Sequence, residues 1–309
     1  MIKFRDAPRY MQWLPTETTA TVARCEFFAR GMVNGFTAGR HRSPRKGFSV
    51  EFAEHRQYVP GDDIRTIDWR AVARKNRYYV KQYMEETNLR ATLLLDCSGS
   101  MGYVGEKAVE VNGKRLSKFD YARYITAALA YMFIGQQDAV GLVTFDSKIR
   151  DYLRAKAQPS QVRQVLKSID SAEPQGETAL SVIFDEIAER IPHRGVVIIV
   201  SDFFDNAEAI QRALHHFRFR HHEIIMFHTM ADEEINFPFN SFVHFKDLES
   251  ATELQLDPKT IRADYLERVN ELIKSLKAAG SQLHADYVPL NTSVPFEKAL
   301  SDYLAKRRG

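Results

Sequence analysis

From about residue 90 onward, short apolar runs alternate with longer stretches in which apolar residues recur every three or four positions. The short runs are typical of strands buried on both faces of a parallel sheet, and the longer stretches are typical of amphipathic helices. Their alternation predicts an α/β fold, with a mainly parallel sheet flanked by helices. The predicted strands are 91–96, 139–145, 195–201, 223–229 and 282–288. The predicted helices are 118–134, 160–169, 180–190, 207–219, 258–278 and 295–305.

Turn residues refine two of these boundaries. The Asp146-Ser147 pair predicts a turn after which 148–153 returns as an antiparallel edge strand. Gly280 is expected to end the long helix that precedes the last strand, because glycine readily adopts the left-handed conformation found just past helix ends.

Residues 1–88 lack this regular alternation. We therefore divide the chain into a smaller amino-terminal α+β segment, 1–88, and an α/β domain, 89–309. Within the first part, 78–83 alternates like a strand that leads into the main sheet. The other expected elements are helices at 18–33 and 64–74, a strand at 48–52 and a tight turn at Pro60-Gly61.

The composition is that of an ordinary folded domain. The hydrophobic and charged fractions, 44% and 27%, lie close to the averages for soluble proteins. The longest apolar stretch, 125–135, is about half of the ~20 residues that a membrane-spanning helix needs, and the first residues lack the apolar core of a signal peptide. Two cysteines are too few for a disulfide framework. We therefore expect a cytoplasmic protein.

The net charge of +3 conceals an uneven distribution. Residues 1–50 carry nine Lys or Arg against three Asp or Glu, and the densest basic segment is 39–47. Such a segment can bind nucleic acid, contact an acidic protein face or remain a solvated loop. Nucleic-acid binding through 39–47 is therefore kept as an alternative function.

Oxygen-bearing side chains follow two predicted strands and precede one helix. Asp96, Ser98 and Ser100 come directly after the strand 91–96, Asp202 follows 195–201, and Thr178 precedes the helix at 180–190. Because the carboxyl ends of parallel strands meet at one edge of a sheet, we expect these side chains to lie together. Carboxylate and hydroxyl oxygens suit Mg²⁺, Mn²⁺ or Ca²⁺. Taken singly, Asp202 and Thr178 could instead cap helices, and Ser98 and Ser100 could cap a turn.

Taken in this order, the five residues resemble the metal-ion-dependent adhesion site of von Willebrand factor A domains. The resemblance implies a Rossmann-like von Willebrand A fold for 89–309. It also implies that both serines and Thr178 coordinate the ion directly, that the aspartates act directly or through water, and that a partner protein's carboxylate fills the remaining position. A cation held mostly by neutral hydroxyls is undercompensated, so an incoming Asp or Glu gains a strong charge-assisted bond.

A second resemblance rests on 56–74, where the chain reads R-x-Y-x-P-G-D-D-x-R-x-I-D-W-x-x-x-A-R. This motif is similar to that of a bacterial family commonly encoded beside MoxR-type AAA+ ATPases, and it implies a metal-dependent adaptor that works with such an ATPase. Family members often carry preceding membrane segments, which this sequence lacks. Trp69 is expected to pack its helix onto the sheet. The charged residues of the motif, which form either a site or a salt-bridged helix, are Asp62, Asp63, Arg65, Asp68 and Arg70.

The resemblance to the second family has one departure, the insertion at 103–116. Its Asn112-Gly113 pair is the one preferred in two-residue hairpins, so we expect a hairpin beside the metal site.

A magnesium-dependent phosphoryl-transfer or hydrolytic enzyme is the other alternative, because strand-end carboxylates also hold catalytic metal ions. The sequence lacks G-x-x-x-x-G-K-[ST], G-x-S-x-G and H-E-x-x-H motifs, and it offers no obvious acid or base beside Asp96. The histidine pairs 215–216 and 221–222 fall at a predicted helix end, where cationic side chains are favourable. We therefore favour a non-catalytic adaptor that binds a partner's acidic residue through a divalent ion.

Overall fold

The computed structural model describes residues 9–22, 51–57, 67–69, 78–84, 89–177, 179–191, 194–240, 243–246, 248–249 and 253–308. The strands are β1 (Glu51–Gln57), β2 (Tyr79–Met84), β3 (Arg90–Asp96), β4 (Glu110–Val111), β5 (Lys114–Arg115), β6 (Ala139–Phe145), β7 (Ile149–Lys156), β8 (Val196–Ser201), β9 (Glu223–Met230), β10 (Val243–Lys246), β11 (Glu253–Leu256) and β12 (Asp286–Asn291). The helices are α1 (Thr16–Val22), α2 (Lys118–Gly135), α3 (Pro159–Ser171), α4 (Leu180–Arg190), α5 (Ala207–Phe219), α6 (Asp232–Asn236), α7 (Pro258–Leu283) and α8 (Phe296–Arg308), with 3₁₀ turns at Arg9–Trp13 and Gly99–Gly102.

Six strands form the main sheet in the order β12-β9-β8-β3-β6-β7. All neighbouring pairs are parallel except β6 and β7, which pair antiparallel. The α/β fold, the mainly parallel sheet and the antiparallel edge strand are therefore confirmed. Because β3 lies between β6 and β8, its last residue, Asp96, stands near the middle of the carboxyl edge.

Helices cover both faces of this sheet. One face packs against α4, α5 and α7 in a core that includes Leu94, Phe145, Phe184, Phe217 and Met226. Helix α2 crosses the other face, contacts four of the six strands and packs with α3 and α8. Burial on both sides explains why β6 and β8 are apolar except for Thr144 and Ser201.

The chain divides into two compact units, one made of 1–28 with 90–309 and the other of 29–89. This division differs from the predicted boundary at 88/89, because the first helices belong with the main sheet. Trp13 is buried with its ring 5.2 Å from that of Tyr124, and its indole Nε1 donates a hydrogen bond to Asp170. Burial of this tryptophan stabilises the packing of the 3₁₀ turn Arg9–Trp13 against the unit that contains the main sheet.

Helix α7 runs to Leu283 and passes through Gly280, so the predicted stop was wrong. A Cβ atom built on Gly280 would lie 3.1 Å from the Ala285 carbonyl oxygen and 3.3 Å from Met226 Cε. The glycine therefore permits close packing inside the helix, and His284, with φ of 51°, is the residue that ends it. The last strand begins correspondingly later than predicted, at 286.

In the unit 29–89, β1 and β2 pair antiparallel as a separate two-stranded sheet. The strand predicted at 78–83 is therefore present but does not join the main sheet. Trp69 is 60% exposed and contacts Tyr78 edge-on, so its predicted packing onto the sheet was wrong. Several predictions lie outside the described residues: the basic segment 39–47, the helices beyond 22 and at 64–66 and 70–74, and most of the motif 56–74.

The hairpin predicted at 103–116 is confirmed. Strands β4 and β5 pair antiparallel across a two-residue turn. Asn112 and Gly113 have φ of 53° and 77°, the left-handed values that this turn requires and that these residues adopt readily.

Candidate functional site

Asp96, the last residue of β3, is buried at the carboxyl edge of the main sheet. Its Oδ1 accepts a hydrogen bond from the backbone N–H of Ser98 at 2.8 Å, and its Oδ2 accepts one from the Ser201 hydroxyl at 2.6 Å. Burial, followed by repulsion from Asp202, raises the pKa of Asp96 to about 7. The hydrogen bonds from Ser201 and Ser98 oppose this rise without cancelling it. The negative charge of Asp96 is therefore costly without a nearby cation.

The Ser98 and Ser100 hydroxyls lie 3.1 Å apart beside this carboxylate. Ser98 is buried and Ser100 half-buried. Ser98 immediately precedes the 3₁₀ turn Gly99–Gly102, but its side chain makes no capping hydrogen bond there. The capping role considered for Ser98 is therefore wrong, and the paired hydroxyls offer two oxygen donors at one point.

Asp202 follows β8 and is fully buried. Its Oδ2 accepts a hydrogen bond at 2.7 Å from Nζ of Lys118, which also donates to Glu234 Oε1 at 2.6 Å. Asp202 does not cap α5, because the Asn206 side chain does so by accepting from the Ala209 N–H at 3.0 Å. The sequence-based alternative of a capping role for Asp202 was therefore wrong.

Lys118 begins α2 and has no exposed side-chain surface. Burial lowers its pKa, but the attraction of Asp202 and Glu234 outweighs burial, so the net pKa shift is upward. For Glu234, burial is the largest effect and leaves the pKa raised despite the Lys118 contact. Lysine is rarely buried unless it is paired, and here it is paired with two carboxylates.

The carboxylates outnumber the ammonium group. Asp96, Asp202 and Glu234 would carry two more negative charges than Lys118 balances, if all three were ionised. In the part of the chain that the structure describes, no three His, Cys, Asp or Glu side chains gather into a metal-binding group. A cation at this edge would therefore depend on the serine hydroxyls as well as on carboxylates. Such an oxygen-only donor set suits a hard divalent ion.

A neighbouring loop lies against the residues after β3. The Gln175 N–H donates to the Cys97 carbonyl, and the Gly99 N–H donates to the Gly176 carbonyl, both at 2.9 Å. These bonds hold 175–177 beside the serines. Thr178, the next predicted ligand, lies outside the described residues.

Two acidic side chains from more distant segments complete the surroundings. Asp205 Oδ2 accepts a hydrogen bond from the Leu180 N–H at 2.9 Å and so caps the start of α4. Glu249 Oε1 accepts one from the Ser100 N–H at 3.3 Å. The carboxyl edge is therefore bordered by three loops and by the segment that carries Glu249.

The structure brings together four of the five predicted residues, Asp96, Ser98, Ser100 and Asp202. Sequence reasoning missed several participants. An inward-facing lysine at a helix start, a serine at a strand end and a glutamate far along the chain give no distinctive pattern. The missed residues are Lys118, Ser201, Asp205, Glu234 and Glu249.

The histidine pairs have other surroundings. His216 lies 3.1 Å from Asp185 through Nδ1, and His222 is buried against the Phe217 ring. Burial lowers the pKa of His222 to about 4, so this side chain is neutral at physiological pH. These contacts are structural.

None of the helices in the described ranges combines the length and the apolar character that crossing a membrane requires.

Two mycobacterial relatives align with most of the chain. The uncharacterized proteins Mb1516 of Mycobacterium bovis and Rv1480 of Mycobacterium tuberculosis are each 25% identical over 252 residues, which cover 80% of this chain and 76% of theirs. Their names give no activity.

Among solved structures, an aerotolerance-related membrane protein of Bacteroides fragilis is 14% identical with a TM-score of 0.45, covering 71% of this chain and 100% of that one. The VWA domain of SpRpn10 is 12% identical with a TM-score of 0.41, covering 70% and 95%. Residues 54–273 match the family described as protein of unknown function DUF58, and because this match spans most of the chain, the protein belongs to that family.

Proposed function

We propose that this protein is a non-catalytic adaptor whose carboxyl sheet edge binds an acidic side chain of a partner protein through a divalent ion. The ion is Mg²⁺, with Mn²⁺ or Ca²⁺ as substitutes. The partner is a MoxR-like AAA+ ATPase or its client, and the proposal includes a cytoplasmic location.

The observation that carries this proposal is the excess of buried carboxylate beside the paired hydroxyls of Ser98 and Ser100. Lys118 lies against Asp202 and Glu234, whereas Asp96 has the neutral partners Ser98 and Ser201. Buried charges are stable only when they are paired or bound to a cation. A divalent ion at Asp96 would balance the excess.

Five residues would hold the ion: Asp96, Ser98, Ser100, Asp202 and Thr178. When bound, the ion would supply an electrophilic centre that attracts one further carboxylate. Lys118 has a separate task, since its ammonium fixes the orientation of Asp202 and balances part of the charge. The site therefore combines a fixed internal cation with an exchangeable one.

The proposal is tested by affinity capture with the tagged full-length chain, in buffer with Mg²⁺ and in buffer with EDTA. Bound proteins are identified by mass spectrometry. We expect an AAA+ ATPase to be retained only with Mg²⁺. The Ser98→Ala/Ser100→Ala double variant should fold normally and lose this retention, because it removes two of the three hydroxyl ligands.

Ser147→Ala is the matched control, since Ser147 is an exposed serine after β6, at the carboxyl end of a neighbouring strand. It should retain the partner as the wild type does. Identical capture in both buffers would contradict a metal-dependent site. Recovery of nucleic acid would favour the alternative based on 39–47, and turnover of a phosphoester substrate by the purified chain would favour an enzyme.

A further inference from the structure

The chain places one of its own carboxylates beside Asp96, Ser98, Ser100 and Asp202, which together we call the Asp96 site. Strands β10 and β11 pair antiparallel, with Lys246 opposite Glu253, and Leu248 and Glu249 lie in the segment between them. Glu249 Oε1 accepts the hydrogen bond from the Ser100 N–H at 3.3 Å. Glu249 is half-buried by this contact region.

The backbone of Leu248 also lies close to Gly99. A Cβ atom built on Gly99 would lie 2.4 Å from the Leu248 carbonyl oxygen and 3.2 Å from Glu249 Cγ. The absence of a side chain at Gly99 is therefore what allows the segment to lie against the loop with the two serine hydroxyls. On its other side, Gly99 is held by the Gly176 carbonyl.

The chemistry of Glu249 is that required of the partner. The proposed function calls for a carboxylate to bind beside Ser98 and Ser100, and Glu249 presents one there without an intermolecular encounter. A tethered ligand acts at a high effective concentration, in the millimolar range for short flexible connections. Glu249 is tethered because it belongs to the same chain as the site, between the paired strands β10 and β11.

We propose that Glu249 is an internal ligand of the Asp96 site, occupying the place of the partner's acidic side chain until a partner displaces it. This inference rests on the proposed function and deepens it. The apparent affinity for the partner is then reduced by the fraction of molecules in which Glu249 has left the site. The β10–β11 segment sets the threshold for partner binding.

The inference is tested on the free full-length chain by Mn²⁺ binding, measured from the electron paramagnetic resonance signal of unbound Mn²⁺. Glu249→Gln keeps the size of the side chain and its ability to accept from Ser100, but it removes the negative charge. We expect about tenfold weaker Mn²⁺ binding, because ligand charge sets affinity for hard cations. Glu110→Gln is the control, since Glu110 is an exposed carboxylate on β4 and should leave the affinity unchanged.

A second variant tests the contact between Glu249 and the site without altering a charged group. Gly99→Ala would place a methyl group against the Leu248 backbone and should displace the segment. It should weaken Mn²⁺ binding by a similar factor. Amide hydrogen exchange supplies the independent measurement: Mn²⁺ should slow exchange at 243–256 in the wild type, and should not do so in Glu249→Gln.

Asp96→Asn distinguishes a failure of the internal ligand from a failure of the proposed function. If Asp96→Asn abolishes Mn²⁺ binding while Glu249→Gln changes neither affinity nor exchange at 243–256, the internal ligand is refuted and the proposed function stands. If the wild-type chain binds no Mn²⁺, or binds it equally well with Asn at 96, the proposed function fails and the internal ligand falls with it.

Discussion

Two charge clusters lie at opposite ends of the main sheet, and their carboxylates are paired with cations in different ways. At the amino end, Arg307 of α8 contacts Glu223, the first residue of β9, and Asp286, the first residue of β12. The Tyr303 hydroxyl donates a hydrogen bond to Asp286 at 2.9 Å and accepts one from Arg307 at 2.8 Å. Burial lowers the pKa of Arg307, but Tyr303 and the carboxylates outweigh it, so the guanidinium remains charged.

At the carboxyl end, one ammonium group contacts two carboxylates and a third, Asp96, contacts neutral groups. A guanidinium presents several donors in a fixed plane and can satisfy two carboxylates at once, whereas an ammonium is a compact point charge. The cluster at the amino end therefore has a structural role: it links α8 to the first residues of β9 and β12. The carboxyl end has a further buried carboxylate, Asp96, that contacts no cation among the described residues and lies beside the Ser98 and Ser100 hydroxyls, and such an oxygen-rich group suits a binding site for a cation.

The largest effect is expected from breaking the amino-end cluster. Arg307→Met should lower the free energy of unfolding by about 3–5 kcal/mol, because it removes the guanidinium that contacts the buried Glu223 and the half-buried Asp286. Urea denaturation followed by circular dichroism measures this loss. Mn²⁺ affinity of the folded variant should be unchanged, and a large change in it would show that the two ends are coupled.

The opposite pattern is expected at the carboxyl end. Asp96→Asn should weaken Mn²⁺ binding at least about a hundredfold, because it removes the charged ligand. In EDTA the free energy of unfolding should change by less than about 1 kcal/mol, since asparagine can still bond Ser201 and Ser98 and carries no charge to bury. A loss of stability as large as that of Arg307→Met would make Asp96 a structural residue.

Acid should weaken the amino end through His222, which directly precedes Glu223. Burial lowers the pKa of His222 from 6.5 to about 4, so between these values the unfolded chain binds more protons than the folded one. The free energy of unfolding should therefore fall as the pH decreases through this window, by roughly 3 kcal/mol in total. Thermal unfolding at pH 7 and pH 4.5 measures the slope.

His222→Phe should remove most of this pH dependence. The control is His221→Asn, because His221 is exposed and its φ of 63° is one that asparagine tolerates. Equal slopes for His222→Phe and the wild type would place the acid sensitivity elsewhere in the chain.

The smallest effect concerns how the carboxyl end is positioned. Asp205→Ala removes the cap of α4 at Leu180 and should cost about 1 kcal/mol of stability. Because α4 begins two residues after Thr178, we also expect a Mn²⁺ affinity reduced by a few fold. Asp205→Asn, which can still accept the hydrogen bond, should restore both values. An unchanged affinity in Asp205→Ala would indicate that Thr178 is held independently of this cap.

The same contrast separates what the sequence predicts well from what it does not. The strands β3, β6 and β8 were predicted almost to the residue, because a short, continuous apolar run is typical of a strand buried on both faces. Strand-end polar residues on these strands then located Asp96 and Asp202 at one edge. The parallel topology itself dictates this part of the site.

The remaining features depend on tertiary contacts with no local pattern. Lys118 looks like an ordinary first residue of a helix, and only the approach of Asp202 and Glu234 accounts for its burial. Glycine is a residue type typical of helix ends, yet Gly280 lies inside α7, where it packs closely against Met226. Glu249 reaches the site from a hairpin 149 residues beyond Ser100.

The pairing of the first helix with the last has a consequence for how the protein is made. Thr18 of α1 donates a hydrogen bond at 3.0 Å to Glu297 of α8, a residue 279 positions later. At translation rates of about 5–20 residues per second, α1 leaves the ribosome roughly 15–60 s before its partner. The unit that carries the Asp96 edge therefore closes only after Glu297 has been synthesised. Its inserted neighbour, 29–89, has all of its residues available long before that.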